Sequence, residues 1–400
     1  MKKLLLLTLC VIILAAGCGK TEENPYSSVG KAGNIPAQYT GALIEKELLL
    51  KAAILQDGYL LPTESGVKKY DLAGKLLWKK DYSFISEKDH FSSLKITPAA
   101  DGSFLISFQI YTYQGSDTKW YRFDPVLAKC DKNGNLLWQL KYEDFSDSTL
   151  EKVFCLENGN IITIGYTKTK TEEPDIYLSL VSEDGVLIDE KYYGGSDYEY
   201  LYNAEYAGGI GLIATVYTQS SDGTFAELNS TDIILLINND LNIIWQKKAD
   251  YYLSRNSMRV SNDAIYLLCF KAFVKNIFLK LDFNGNTVYE EVIVNQDGVF
   301  AHLVGFSKYG LLIQKGDELV FFNDSTEVLN IEFEAGSAER IIDIADGFII
   351  VSVNITGVFP TSLIISSIWY YTELVYSGYD GEGNLLWRNV YDNTPDYPKI

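Results

Sequence analysis

Histidine is nearly absent from this 400-residue chain, which has only His90 and His302. Two histidines argue against a multi-histidine metal centre. No Gly-x-Ser-x-Gly elbow accompanies them, so no Ser-His-Asp site is legible, and each reads as an ordinary surface or junction residue. Cysteine is scarce too. Of five, Cys10 and Cys18 fall in the N-terminal segment, leaving an odd set of Cys130, Cys155 and Cys269. These show neither a disulfide framework nor metal spacing and sit among apolar neighbours, as buried structural thiols do. Basic charge is short, with 34 Lys and Arg against 53 Asp and Glu and a formal charge of −19. Such a chain repels phosphate backbones, which sets nucleic acid aside as a partner. A sustained 3.6-residue period is also missing, as is any internal linker or low-complexity tract after residue 48. Helical classes are thereby excluded for the body of the chain.

What is present is a recurring stretch, Asp131-Lys132-Asn133-Gly134-Asn135-Leu136-Leu137-Trp138. Asp and Asn side chains bond their own backbone, and Gly tolerates positive φ, so the first half reads as a tight turn. The second half reads as a strand carrying a docking aromatic. Close copies run from Asp71 through Gly74 to Trp78 and from Asp380 through Gly383 to Trp387. Weaker copies span Asn238 to Trp245, with Leu241 at the Gly position, and Asp282 through Gly285 to Tyr289. Two degenerate copies follow Ser182, keeping Gly185, and Asn323. Seven copies with gaps of 41 to 60 residues average about 51, close to the period of propeller blades. A second turn signal keeps the same phase: Asp57-Gly58, Asp101-Gly102, Asn158-Gly159, Gly208-Gly209, Asn262-Asp263, Tyr309-Gly310 and Asp346-Gly347, each before a hydrophobic strand.

These residues carry a resemblance. A turn dipeptide with its strand, followed by Asp-x-x-Gly-x-x-x-Trp, resembles the quinoprotein-like and related WD-type β-propeller repeats over roughly residues 45–392. The stretch Lys191 to Asp197, with Gly194-Gly195 at its centre, is similar to the linker of bacterial repeat proteins carrying that motif. The resemblance specifies a blade and leaves the ligand open. The expectation is an all-β chain: a single β-propeller, seven four-stranded blades with six or eight as alternatives. Radial repetition covers the edges that isolated blades would expose. The ring closes either through side chains between the last and first blades or through a strand from Thr40 to Glu47.

At the N-terminus, Met1-Lys2-Lys3 precedes the apolar run Leu4 to Ala16, which is of signal-peptide length and too short to span a bilayer. Its end, Leu14-Ala15-Ala16-Gly17-Cys18, resembles a bacterial lipobox. That resemblance implies Cys18 as the first mature residue, thioether-linked to diacylglycerol, with the lipid bilayer as a partner. An ordinary secretory signal is the alternative. Loss of Lys2 and Lys3 would move the charge from −19 to about −21. The expected division is residues 1–17 as signal peptide, 18–40 as lipidated Cys and flexible tether, and 41–400 as propeller. The polar, breaker-rich stretch Gly19 to Gln38 reaches at most roughly 65–70 Å. Gly19 lacks the acidic inner-membrane retention signal of sorted lipoproteins, which points to a Gram-positive surface or an outer membrane.

No chemistry rises above this architecture. The Asp-x-Asn-Gly turns fail as EF-hand loops, since Gly134 is fourth and Tyr142 stands at position 12. Carboxylate pairs abound, but sequence alone says nothing of facing geometry. No metal site and no cofactor is expected. Loop inequality is the remaining signal. If strands run outward and Asp-x-x-Gly joins the third to the fourth, the longer second-to-third and blade-to-blade connections share the opposite face. Tyr111, Tyr113, Trp120, Tyr142, Asp197, Tyr198 and Tyr200 gather there as the candidate binding face. Loops on a rigid scaffold carry function, and Tyr supplies contact area at low entropy cost, although Tyr also packs blade junctions. The expected function is a binding or scaffolding module, monomeric, for a protein or an envelope glycan. The alternative is a propeller enzyme, glycan-cleaving or a quinone-dependent oxidoreductase. A role in outer-membrane-protein assembly rests on fold analogy alone.

Overall fold

The structure is a computed structural model describing residues 53–392 except 56, 64, 72–74, 83–89, 92–93, 115–119, 143–147, 168–172, 229–230, 254–256, 272–274, 295–300, 324–325, 334–336, 345–346 and 361–367. In some strands, among them 111–114, 120–123 and 353–360, only the backbone is described. Cys18, the tether and Thr40 to Glu47 therefore lie outside the described residues, as does Gly74.

Seven antiparallel sheets follow one another along the chain, each formed from consecutive strands. Blade 1 comprises Ala53–Leu55, Gly58–Pro62, Gly66–Asp71 and Leu76–Asp81. In blade 2 the first strand is broken into His90–Phe91 and Lys95–Pro98, followed by Phe104–Gln114, Trp120–Cys130 and Leu136–Lys141. Blade 3 is Thr149–Cys155, Ile161–Thr167, Asp175–Val181 and Leu187–Tyr193, and blade 4 is Glu199–Tyr206, Leu212–Thr218, Thr231–Ile237 and Ile243–Lys248. Blade 5 is Met258–Val260, Ile265–Lys271, Lys275–Leu281 and Thr287–Val294, and blade 6 is Ala301–Ser307, Gly310–Lys315, Glu318–Asn323 and Thr326–Glu332. Blade 7 is Ser337–Ile344, Gly347–Pro360, Ile368–Asp380 and Leu385–Asp392. The result is a seven-bladed propeller of four-stranded blades, as the repeat predicts.

The middle strands read as unbroken apolar runs because both of their faces are buried. In blade 4, Leu212, Ala214, Val216, Ile233, Leu235 and Ile237 pack with blade 3, on Ile162, Ile164, Ile176 and Leu178. The alternate residues Ile213, Ile234 and Leu236 pack with blade 5, on Ile265, Leu267, Cys269 and Ile277. Period-two alternation thus sends successive side chains into different junctions. Among the described residues, such clusters fill the six junctions from blades 1–2 to blades 6–7. Cys130 and Cys269 are buried within them, free as expected, while Cys155 is half-buried.

The repeat motif is an interlock between blades. Asp131 N–H donates to Asn135 O at 2.9 Å, and Gly134 N–H to Asp131 O at 2.9 Å, with Gly134 at φ 78°. The Asp131 carboxylate accepts from the amides of Asn133 and Asn135. Asp282 and Asp380 repeat this, with Gly285 and Gly383 at φ 78° and 85°, and Asp71 accepts from Lys75 N–H. In every blade the fourth strand then bulges by one residue: Leu77, Leu137, Ile188, Ile244, Val288, Val328 and Leu386. A bulge breaks the alternation and re-aims the next side chain. In blades 1, 2 and 4 that next side chain is a Trp, and it lands on the turn of the following blade. Trp138 Nε1 donates to Glu183 O at 2.7 Å and its ring covers Gly185, where a Cβ would lie 2.5 Å from the indole. Trp245 does the same at Phe283 O, 2.9 Å, over Gly285, and Trp78 covers Gly134. Where blade 3 offers Asp189 at the Trp register, the next turn fills the space itself with Leu241, fully buried at φ 62°. The sixth copy is a shorter hairpin, Asn323 opposite Thr326, which places Leu329 at the Trp register facing Gly383.

Candidate functional site

Three regions of the propeller bear on function: the axis, the loop-rich face and the opposite turn face. At the axis, the first strands of blades 3, 4, 6 and 7 carry a bulge at one shared register, with Glu151, Tyr202, Val304 and Glu339 as the extra residues. Each such bulge frees backbone carbonyls from the ladder, and they must be satisfied elsewhere. Donors from the preceding blade do so. Lys95 Nζ reaches Glu151 O at 3.2 Å, Arg259 reaches Leu303 O and Val304 O at 3.2 and 3.1 Å, and His302 Nε2 meets Ala338 O at 2.7 Å. His302 is thus a blade latch, and His90 pairs with Tyr111 through the backbone.

Among the described residues, five charged groups on the inner strands of blades 2 to 5 interact. Lys95 pairs with Glu151 at 3.2 Å, and Arg259 with Glu205 at 3.5 Å. Glu205 also accepts from Val260 N–H at 2.7 Å. Lys152 is the fifth, and it makes no hydrogen bond or ion pair among the described residues. Desolvation by the surrounding protein holds its ammonium below the usual lysine range, with Glu205 opposing and Arg259 and Lys95 adding to the effect. Lys152 nonetheless presents open surface.

The loop-rich face holds two concavities. One, of about 270 Å³, is lined by Glu151, Lys152, Tyr166, Tyr200, Leu201, Tyr202 and Asn203 between blades 3 and 4. Tyr200 stands between Tyr166 and Tyr202, with centroids 5.8 and 5.4 Å away. The other, of about 310 Å³, lies between blades 4 and 5 with Tyr217, Tyr251, Tyr252 and Phe270 in its walls. Tyr252 is 58% exposed. Asp232 supports both concavities: it accepts from Tyr202 Oη at 3.1 Å and from Leu253 N–H at 2.7 Å.

Of the sequence candidates, Asp197, Tyr198 and Tyr200 come together here. Asp197 is exposed on a loop tied to Ser220, and Tyr198 packs 6.1 Å from Tyr217. Tyr142 does not reach this surface. It is 2% exposed, its hydroxyl 2.9 Å from Ser179 Oγ and its ring edge-on to Tyr177, so it fills the junction of blades 2 and 3. Tyr111, Tyr113 and Trp120 are strand residues rather than loop residues. The second and third strands of blade 2 extend as a long hairpin in which Tyr113 pairs Tyr121 and Gln114 pairs Trp120. Their side chains lie outside the described residues, as does that of Trp387. Blade 7 extends likewise, with Pro360 opposite Ile368. The hairpin ladder continued where the sequence suggested a loop because alternating β-branched and aromatic residues continue there.

A facing carboxylate pair does occur, but beneath the loops. Asp175 Oδ1 and Glu199 Oε2 converge on Gly194, leaving no room for a Cβ, and Asp222 crowds Gly195 in the same way. This is the physical basis of the Gly194-Gly195 pair. Glu199 is fully buried, its Oε1 accepting from Thr218 Oγ1 at 2.8 Å. Burial first, and the charge of Asp175 in addition, raise its pKa above the usual carboxylate range.

Sequence reasoning missed the turn face. A cleft of about 530 Å³ opens there between blades 2 and 3, lined by Pro98, Lys129, Phe154, Cys155, Glu183 and Tyr206 among others. Burial raises the Cys155 thiol to about 11, which favours its protonated form. Nothing in the local turn chemistry signals this cleft, because it forms from residues of three blades.

No family model matches the chain, and no curated protein matches it. Among solved structures it is similar to a computationally designed protein, Ika8, at 12% identity, covering 86% of this chain and 87% of that one, TM-score 0.48. It is also similar to the WD40 domain of Neurospora crassa Pan2 at 11% identity, covering 76% and 85%, TM-score 0.39. A third is a Synechocystis apocarotenoid oxygenase at 12% identity, covering 87% and 72%, TM-score 0.40. Likenesses this distant concern backbone architecture, not ligand or reaction. The chain folds as a seven-bladed β-propeller.

Proposed function

We propose that this chain is a lipid-anchored, extracytoplasmic binding module whose loop-rich face engages an envelope glycan. The observation that carries the reading is the pair of neighbouring concavities, about 270 and 310 Å³, each walled by three or more aromatic rings. Small concave sites with a few fixed polar groups suit sugar rings better than a flat protein surface. The enzyme reading needs facing carboxylates open to substrate, and Asp175 and Glu199 lie buried under Gly194 instead. The lipobox at Cys18 supplies the anchor in this reading, and the tether lets the face reach away from the bilayer. No cofactor enters it.

The test is retention of the full chain, purified in detergent, on envelope glycan fractions, compared with Tyr200→Ala and Tyr252→Ala. Wild type is retained, and each variant elutes earlier with its thermal unfolding unchanged. Retention by an envelope protein instead, or equal retention of all three forms, overturns the reading. Cys18→Ser, expressed in a lipoprotein-processing host, moves to the soluble fraction; continued membrane association would remove the anchor from the proposal.

A further inference from the structure

We infer that the concavity around Lys152 is a subsite for a carboxylate-bearing sugar, such as a uronic acid residue, with Lys152 Nζ as the partner of the carboxylate. This rests on the glycan-binding reading and names the chemistry of one of its two concavities.

Local charge bookkeeping leads to it. Of the five interacting groups on the inner strands, Lys95 is matched by Glu151 and Arg259 by Glu205. Lys152 remains, with no ion-pair partner among the described residues, inside a protein of formal charge −19. An ammonium held partly away from water, with Glu205 and Glu151 acting on it only at a distance, gains from an anion that enters and pairs with it directly. This ammonium sits in a place shaped for a ligand, since Lys152 is in the wall of the 270 Å³ concavity beside Tyr166, Tyr200 and Tyr202. The aromatic faces fit the apolar side of a sugar ring. Asn203, in the same wall, is fixed by its donation to Met258 O at 3.1 Å. Among the described residues of the wall Glu151 is the one carboxylate, and Lys95 pairs with it at 3.2 Å. Repulsion from the distant acidic surface does not decide the matter, because charges beyond about 8 Å are screened at physiological salt.

The experiment titrates the full chain in detergent with D-glucuronate, D-glucose and acetate, observed by calorimetry or ligand-detected NMR. Wild type binds glucuronate at least tenfold more tightly than either of the others. Lys152→Gln loses that preference, and Lys152→Arg keeps it in large part, which separates lost charge from lost packing. Equal binding of glucuronate and glucose, or a preference that survives in Lys152→Gln, overturns the inference. If acetate matches glucuronate, the sugar ring plays no part and the inference fails in that form. Retention on neutral glycan without any carboxylate preference removes the subsite and leaves the proposed function standing. Absence of all glycan binding removes both.

Discussion

Substituting Gly185 by Ala tests the interlock most directly, because two separate costs meet there and can be told apart. The first is conformational. Gly185 sits at φ 84°, where an L-residue with a Cβ costs about 1–2 kcal/mol. The second is steric: the new Cβ would lie 2.5 Å from the Trp138 ring, which must move. Moving it loses the Trp138 Nε1 bond to Glu183 O, worth about 1 kcal/mol, and part of the ring's packing, about another 1. The total is about 3–4 kcal/mol. Gly102 is the internal control, since it has nearly the same φ, 82°, and nothing nearer to a Cβ than Lys132 Cβ at 3.8 Å. Gly102→Ala therefore reads the conformational cost alone, about 1–2 kcal/mol. Urea unfolding with matched m-values measures both. In a Trp138→Ala background, Gly185→Ala falls to the cost at Gly102, giving a coupling of about 1–2 kcal/mol. Equal costs at 185 and 102 in the wild type, or an additive cycle, would refute the interlock.

Other outcomes follow from the same contacts. Leu241→Gly relieves a φ of 62° but empties a fully buried site, so it destabilises by about 1–2 kcal/mol net; a stabilised variant in urea unfolding would contradict the packing argument. The Asp282 carboxyl is held below its usual range, first by the Asn286 side-chain amide and then by the backbone N–H groups of Asn286 and Asn284. A depressed acid contributes stability above its unfolded pKa, about 3.9, and loses it as pH falls through the lower folded value. Chemical denaturation from pH 6 to 2 should therefore show the difference between wild type and Asp282→Asn shrinking below about pH 4; a constant difference would deny the linkage. Tyr142→Phe removes the hydroxyl facing Ser179, costs about 1 kcal/mol and leaves glycan retention unchanged.

The sequence by itself determined what is local. An Asp-x-Asn-Gly turn closes within five residues, Asp131 N to Asn135 O, so its chemistry is complete in the motif. Seven such turns in phase with a second turn signal give the blade count, and apolar middle strands give burial on both faces. Only the tertiary structure decided where the aromatic of each motif goes. Trp138 is bonded to Glu183, 45 residues on, and the bulge at Leu137 that aims it leaves no mark beyond a second Leu. Asp197, Tyr198 and Tyr200 were legible as a cluster because one connection carries them. Tyr142 was not separable from them, since exposure depends on whether the neighbouring blade supplies a Ser179 to meet the hydroxyl. Lys152 was invisible for the same reason: it stands without a direct partner among the described residues only because Glu151 and Glu205 are taken up by Lys95 and Arg259 from other blades. Turns and periods are set by covalent neighbours, whereas junctions, latches and the charge balance of the axis are set by residues that only the closed packing of blades brings together.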